Sequence, residues 1–179
     1  MSDRFPGEIT VGGTVPKELC EEFCRELNLA GGEVVGFGRP ARKQFFRNWR
    51  DVTDNLGDDG LLRLSNDEAA YGMFEELEKF LVRYGIAFDR RSDAKYGYDA
   101  EDVSFRPGMK KPVVCLADQG GNPMVPLSDL KPIAKRLDRL ATESPRTVSG
   151  FATAVRNLAK RLRKTLPPEI PPLTKVGIK

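Results

Sequence analysis

The stretch LLRLSNDEAAYGMFEELEKFLVRYG at 61–85 carries the clearest local signals in the chain. Its opening at 61–64 predicts a strand, and Ser65 followed by Glu68 has the spacing of a capping box, which predicts a helix from that point. Gly85 suits the left-handed position that ends such a helix. The apolar residues of the segment share one helical face and predict a core element: Ala70, Met73, Phe74, Leu77, Phe80, Leu81 and Tyr84.

The sequence before this stretch predicts two more pairs of a strand and a helix. The alternation at 8–11 indicates a short strand, and Pro16 suits the first turn of a helix that runs to about residue 28. Residues 33–35 predict another short strand. A second helix, rich in arginine and lysine, is predicted over about 40–51.

The next part of the chain is dominated by strand signals. Short apolar runs at 86–88, 103–105 and 113–116 predict three strands, and 124–125 is a hairpin partner for the last of them. Because these strands follow one another without helices between them, a doubly wound parallel sheet is disfavoured. The sequence predicts an α+β fold with a mainly antiparallel sheet and helices packed on one face.

The last third of the chain predicts a basic αα-hairpin. Two apolar stripes at helical spacing are separated by a polar turn at 143–146, so two antiparallel helices are the simplest interpretation. We therefore expect an α+β core domain at 1–127, a basic helical hairpin at 128–166 and an extended Pro-rich tail at 167–179. The two stripes consist of Leu130, Ile133, Leu137 and Leu140, then Val148, Phe151, Val155, Leu158, Leu162 and Leu166.

The composition excludes several classes of protein. With 179 residues, 40% of them apolar and 31% charged, the chain is typical of a folded globular protein. Three cysteines, Cys20, Cys24 and Cys115, are too few for a disulfide framework. No apolar run approaches the roughly 20 residues that a membrane span needs. We expect a cytoplasmic protein that does not contact a membrane.

Catalytic and cofactor signals are absent from the sequence. The chain has no histidine, so imidazole catalysis and histidine metal ligands are excluded. The turn Gly36-Phe37-Gly38 matches neither a dinucleotide fingerprint nor a Walker loop. The sequence therefore predicts no catalytic residue, no metal and no cofactor, and we interpret the chain as a protein that is not an enzyme.

The charge of the chain is unevenly distributed. The formal net charge is +3, yet counting Lys and Arg minus Asp and Glu gives 5 − 0 = +5 at 39–50, 6 − 14 = −8 at 51–104 and 10 − 3 = +7 at 128–164. Separate basic segments on an acidic body indicate contact with a polyanion. The leading prediction is a binding module that contacts nucleic acid or another polyanion through its basic helices.

The predicted nucleic-acid-binding residues come from both basic segments. Cations neutralise phosphates, and interleaved aromatic rings stack on bases. The first segment contributes Arg39, Arg42, Lys43, Arg47, Trp49 and Arg50. The second contributes Lys131, Lys135, Arg139, Arg156, Lys160, Arg163 and Lys164.

Two alternatives accompany this hypothesis. The basic helices can be the solvated backs of structural helices, or can pack on the acidic body of the same molecule. The chain can also be a protein-interaction adaptor or inhibitor that uses the acidic surface at 51–104 and the Pro-rich tail as a docking peptide. The sequence leaves open whether the nucleic acid is DNA or RNA, and which oligomeric state the protein adopts.

Overall fold

A computed structural model describes residues 3–36, 39–95, 97–118, 120–143 and 147–179, without the side chains of Arg39 and Pro40. The chain divides into two compact units, one formed by Met1–Asn122 with Ile170–Lys179 and the other by Pro123–Glu169. None of the helices in the described part of the chain combines the length and the apolarity that spanning a membrane requires.

The first unit contains most of the strands and three helices. A single 3-10 turn, Lys17–Leu19, leads into the first helix. In chain order the elements are β1 (Arg4–Gly12), β2 (Thr14–Val15), α1 (Cys20–Ala30), β3 (Glu33–Gly36), β4 (Arg39–Lys43), α2 (Trp49–Thr53), β5 (Leu62–Ala70), α3 (Glu75–Tyr84), β6 (Ala87–Ser92), β7 (Ala100–Phe105) and β8 (Val113–Ala117). The second unit contains β9 (Pro123–Met124), α4 (Leu127–Thr142) and α5 (Val148–Thr165), and β10 (Gly177–Ile178) follows in the first unit.

The sheet of the first unit runs in the order β4-β3-β5-β1-β6-β7-β8. Each neighbouring pair in this order is antiparallel. Helix α1 connects β1 to β3 with β5 between them, and α3 connects β5 to β6 with β1 between them. Two such split βαβ units are the connectivity of ferredoxin-like folds. The predicted combination of helices with a large antiparallel sheet is confirmed.

The alternation of buried and exposed residues along β1 shows which face of the sheet forms the core. Ile9 and Val11 are fully buried, and their cross-strand neighbours on β5, Leu64 and Leu62, are buried on the same face. The helices cover this face, and the rings of Phe23 on α1 and Phe80 on α3 stand 6.2 Å apart. One apolar cluster therefore joins the three helices to the sheet; its largest fully buried side chains include Phe23, Phe88, Ile9, Leu27, Leu62, Leu64, Leu77, Leu81 and Ile86.

The prediction that a helix begins at Ser65 is wrong. Ser65 lies within β5, which pairs with β1 through Ala70, and α3 begins at Glu75. The cap comes from inside the helix, because the Phe74 N–H donates to Glu78 Oε1 at 3.0 Å. Long-range strand pairing therefore overrides the local capping box. The predicted end is confirmed, since Gly85 has φ +69°.

A tight turn between β5 and α3 depends on two glycines. Tyr71 and Gly72 both have positive φ, 54° and 63°. A Cβ on Gly72 would press into Ser92 and Phe5, and a Cβ on Gly7 would press into the Gly72 carbonyl. Glycine at both positions lets the turn lie directly on the irregular part of β1.

The end of the chain is held by the first unit. Strand β10 is parallel to β2, and the Gly13 N–H donates to the Thr174 carbonyl at 2.8 Å. Val176 is buried, and its N–H donates to the Gly60 carbonyl at 2.8 Å. Arg106 Nε donates to the Pro171 carbonyl at 2.7 Å. The tail is therefore an ordered strip along the first unit.

Leu77→Ala is expected to destabilise the protein by roughly 2–5 kcal/mol, because Leu77 is almost completely buried between α3 and the sheet. Urea unfolding followed by far-UV circular dichroism measures this change. The control is Glu76→Ala on the exposed face, which leaves Lys79 its second ion pair with Glu75. Equal effects of the two substitutions would contradict the assigned helix face.

Val176→Asp is expected to lower the free energy of unfolding by roughly 2–4 kcal/mol, because it places a carboxylate among apolar side chains of the first unit. The matched control, Lys179→Asp, adds a carboxylate to an exposed position three residues later. Thermal unfolding of both variants measures the difference. An unchanged midpoint for Val176→Asp would show that the tail does not contribute to the core.

Candidate nucleic-acid interface

The second unit presents a groove between α4 and α5 with a volume of about 510 Å³. Five residues separate the two consecutive helices, and α4 and α5 are in contact. Ile133 is the buried residue of α4, and Leu158, which also lines the groove, is the buried residue of α5. The groove is lined by Pro132, Lys135, Arg136, Arg139, Gly150, Thr153, Ala154, Asn157, Leu158 and Arg161.

Four cations define the chemistry of this groove. Lys135, Arg136 and Arg139 project from successive turns of α4, and Arg161 projects from α5. All four are exposed, and no carboxylate in the described part of the chain forms an ion pair with them. Because guanidinium groups bind phosphate oxygens in bidentate fashion, unpaired arginines along a groove suit a phosphate backbone.

Local structure explains how the groove is built. Thr147 caps α5, because its Oγ1 accepts the Gly150 N–H at 3.1 Å, and this fixes where the helix starts. Gly150 and Ala154 are small, so this part of the groove is not filled by side chains. Thr153 and Asn157 add uncharged hydrogen-bonding groups between the cations. Helix α5 contains no acidic residue, so no carboxylate of this helix neutralises its cations.

The structure distributes the predicted hairpin residues over two surfaces. Lys135 and Arg139 line the groove, as their four-residue spacing suggested. The remaining predicted residues are exposed but lie outside the groove lining: Lys131, Arg156, Lys160, Arg163 and Lys164. Arg161, Thr153 and Asn157 were not singled out from the sequence. Thr153, Asn157 and Arg161 follow one another at four-residue steps on α5, and this spacing is the signal that places them on one side of the helix.

The predicted basic helix at 40–51 is wrong. Arg39–Lys43 is the edge strand β4, and the helix α2 begins only at Trp49. Asn48 sets this start, because its side chain accepts the N–H groups of Arg50 and Asp51. An edge strand tolerates Pro40, whose missing N–H would break a central strand. Lys43, Arg47 and Arg50 are therefore not on one helical face.

Three side chains of this first basic segment have partners in the first unit. Arg42 Nη2 donates to Asn55 Oδ1 at 2.8 Å, and Arg50 Nε lies 3.7 Å from Asp54 Oδ2. The Trp49 ring is half-buried, 6.1 Å from the ring of Phe23. Phe45 is 64% exposed and is the aromatic ring of this segment that faces solvent. The side chain of Arg39 lies outside the described residues.

The sheet face away from the helices carries both carboxylates and cations. Glu8 on β1 lies beside Arg91 on β6, and Asp102 on β7 follows in the same row. Burial raises the pKa of the Asp102 carboxyl above its ordinary value. Asp89 on the same face binds the Arg106 guanidinium through both carboxylate oxygens, at 2.8 and 2.9 Å. The cations on this face therefore stand beside carboxylates, unlike those of the groove.

The three thiols do not form a reactive or metal-binding centre in the described part of the chain. Cys20, Cys24 and Cys115 are all free. Burial raises the pKa of Cys24 to about 11, and it also raises the pKa of Cys20 and Cys115. A thiol with a raised pKa is a poor nucleophile at neutral pH. Among the described residues no group of three or more metal-ligating side chains surrounds them.

Comparison of the chain with known proteins adds no relative. No protein-family model, no curated protein and no solved structure matches the sequence. The groove between α4 and α5 is thus characterised by its own charges and geometry.

Proposed function

We propose that this protein is a non-catalytic binding module that contacts nucleic acid through its basic helices. The carrying observation is the groove between α4 and α5, where Lys135, Arg136, Arg139 and Arg161 stand together without acidic partners in the described residues. The groove offers cations and small polar groups but no aromatic ring among its lining residues. Contacts of this kind neutralise phosphates without reading bases, so binding is expected to be insensitive to sequence.

The first basic segment contributes less in this proposal. Arg42 and Arg50 have partners within the first unit, and Asp51 and Asp54 lie beside Arg47 and Arg50. A phosphate that approached this segment would meet carboxylates as well as cations. The groove therefore takes the leading role, and Arg47 and Arg50 supply a matched comparison.

A second candidate function rests on an acidic groove of the first unit. This groove has a volume of about 880 Å³ and surrounds Leu29, which is 70% exposed. Its lining includes the carboxylates Glu26, Glu68, Glu75 and Glu76. An apolar floor with an acidic rim suits a basic protein partner, as expected of an adaptor or inhibitor. The tail is held through residues 171–179 by the first unit, so this candidate depends on the acidic surface alone.

Arg136→Gln/Arg161→Gln is expected to weaken the binding of a fluorescein-labelled oligonucleotide and to flatten its salt dependence. Each neutralised phosphate contributes about 0.7–0.9 to the slope of log affinity against log salt, so the slope should fall by about 1–2. Fluorescence anisotropy over a series of salt concentrations measures both quantities. The thermal midpoint should stay nearly constant, because both side chains are exposed.

The matched control is Arg47→Gln/Arg50→Gln, which removes the same charge from the first unit. We expect a smaller change in both affinity and slope. A larger effect of this control would move the interface to the first basic segment. If the wild-type protein binds no oligonucleotide at low salt, the nucleic-acid proposal fails and the acidic groove becomes the leading candidate.

A further inference from the structure

The hairpin of α4 and α5 has an apolar stripe in addition to its basic groove. Several large apolar side chains of the two helices remain between 37% and 87% exposed. On a helical projection they lie on one side of the buried residue of each helix, Ile133 on α4 and Leu158 on α5, and the groove residues lie on the other side. This exposed stripe consists of Leu137, Val148, Phe151, Val155, Leu162 and Leu166.

The spacing of the apolar residues is that of a helical bundle. On α5 they occur at 148, 151, 155, 158 and 162, and on α4 at 130, 133, 137 and 140. Steps of three and four residues in alternation are the seam of a coiled coil or a four-helix bundle. In the hairpin, one residue of each seam is buried, Ile133 on α4 and Leu158 on α5. Most of the seam therefore faces solvent.

Two buried side chains are too few to hold this hairpin in a fixed form. Burying one such side chain contributes about 1.5–3 kcal/mol. Ordering the backbone costs about 1–2 kcal/mol for each residue, and α4 and α5 contain 16 and 18 residues. Their hydrogen bonds and helix propensities offset only part of this cost, since most helical stability in proteins comes from packing of an apolar face. The stripe needs an apolar partner.

We propose that the partner is a second copy of this chain, which packs its own stripe on the first to form a four-helix bundle. A two-fold interface brings the same patch from both subunits together, and a seam that continues across two antiparallel helices is complementary to itself. Half of the 34 helical residues of the hairpin is 17, fewer than the roughly 20–30 residues on each side of a stable interface, so we expect a dimer that dissociates on dilution.

Charge selects how the two hairpins are oriented. On a helical projection Lys131 and Asp138 flank the stripe on α4 and make that rim neutral, whereas Arg156 and Arg163 flank it on α5. A two-fold axis parallel to the helices places α4 of one copy over α5 of the other, so each basic rim faces a neutral one. The alternative axis places α5 over α5, where both rims are basic. The first arrangement leaves a basic groove on each outer side of the bundle.

Sedimentation equilibrium of the full-length protein tests the proposal directly. We expect a mass of twice 19.9 kDa at concentrations of about 10–100 µM, with dissociation on dilution. Phe151→Glu and Leu162→Glu should each raise the dimer dissociation constant at least about 100-fold, because each places two carboxylates in the apolar seam. Ser149→Glu adds the same charge to α5 outside the stripe and should leave the dimer intact.

Three results would overturn the proposal. The first is a wild-type protein that stays monomeric up to about 100 µM, which decides the matter even where a variant loses helix by circular dichroism. The second is dissociation by Ser149→Glu to the same extent as by Phe151→Glu. The third is a monomer that binds vesicles of phosphatidylcholine and phosphatidylglycerol through the same stripe, since a lipid surface would then be the partner.

Discussion

Pairing of β1 on both of its edges is the constraint on which the first unit depends. Gly7 to Val11 bond to β5 on one side and to β6 on the other, so this strand joins the two split βαβ units into one sheet. Ile9 and Val11 then have no exposed surface, because α1 and α3 cover the face that they occupy. Since both crossovers start or end beside β1, a shift of one residue in its register would turn the apolar residues of the strand toward solvent.

Two buried arginines, Arg90 and Arg106, connect strands of this sheet to α3 and to the tail. Arg90 is 4% exposed, and its guanidinium lies 3.1 Å from Glu78 on α3 and 3.2 Å from Glu101 on β7. Arg106 binds Asp89 and the carbonyls of Phe88, Phe105 and Pro171. A guanidinium offers five donors, so one side chain can hold a helix or the tail against two strands. These contacts join residues that are far apart in the sequence. The local sequence around each arginine therefore does not predict them.

Local patterns predicted the elements whose stability is local. Helix α3 ends at Gly85 as its sequence suggests, and the strands β6, β7 and β8 overlap the predicted apolar runs, although β6 continues through charged residues to Ser92. The predictions fail where pairing with a strand that is distant in the sequence determines the local structure. Ser65 and Glu68 fit a helix cap, yet pairing with β1 keeps them in β5. Arg39–Lys43 has no apolar alternation and becomes a strand because β3 offers it an edge.

The candidate site was predicted in part for the same reason. Four-residue spacing on α4 placed Lys135 and Arg139 on one face, but Arg161 and Asn157 belong to the groove only through the rotation of α5 about its axis. On a helical projection Leu158, the buried residue of α5, lies between the groove residues and the exposed apolar stripe. The two helices therefore present one polar surface and one apolar surface.

The return of the chain to the first unit has a consequence for folding kinetics. Gly177 pairs with Thr14 across 163 positions of sequence, so β10 adds one of the most distant contacts that this chain can make. The entropy of closing such a loop grows only slowly with its length, but the search for the contact slows folding. The second unit is thus an insertion between two parts of the first. The search that brings β10 to β2 therefore has to span the whole of the second unit.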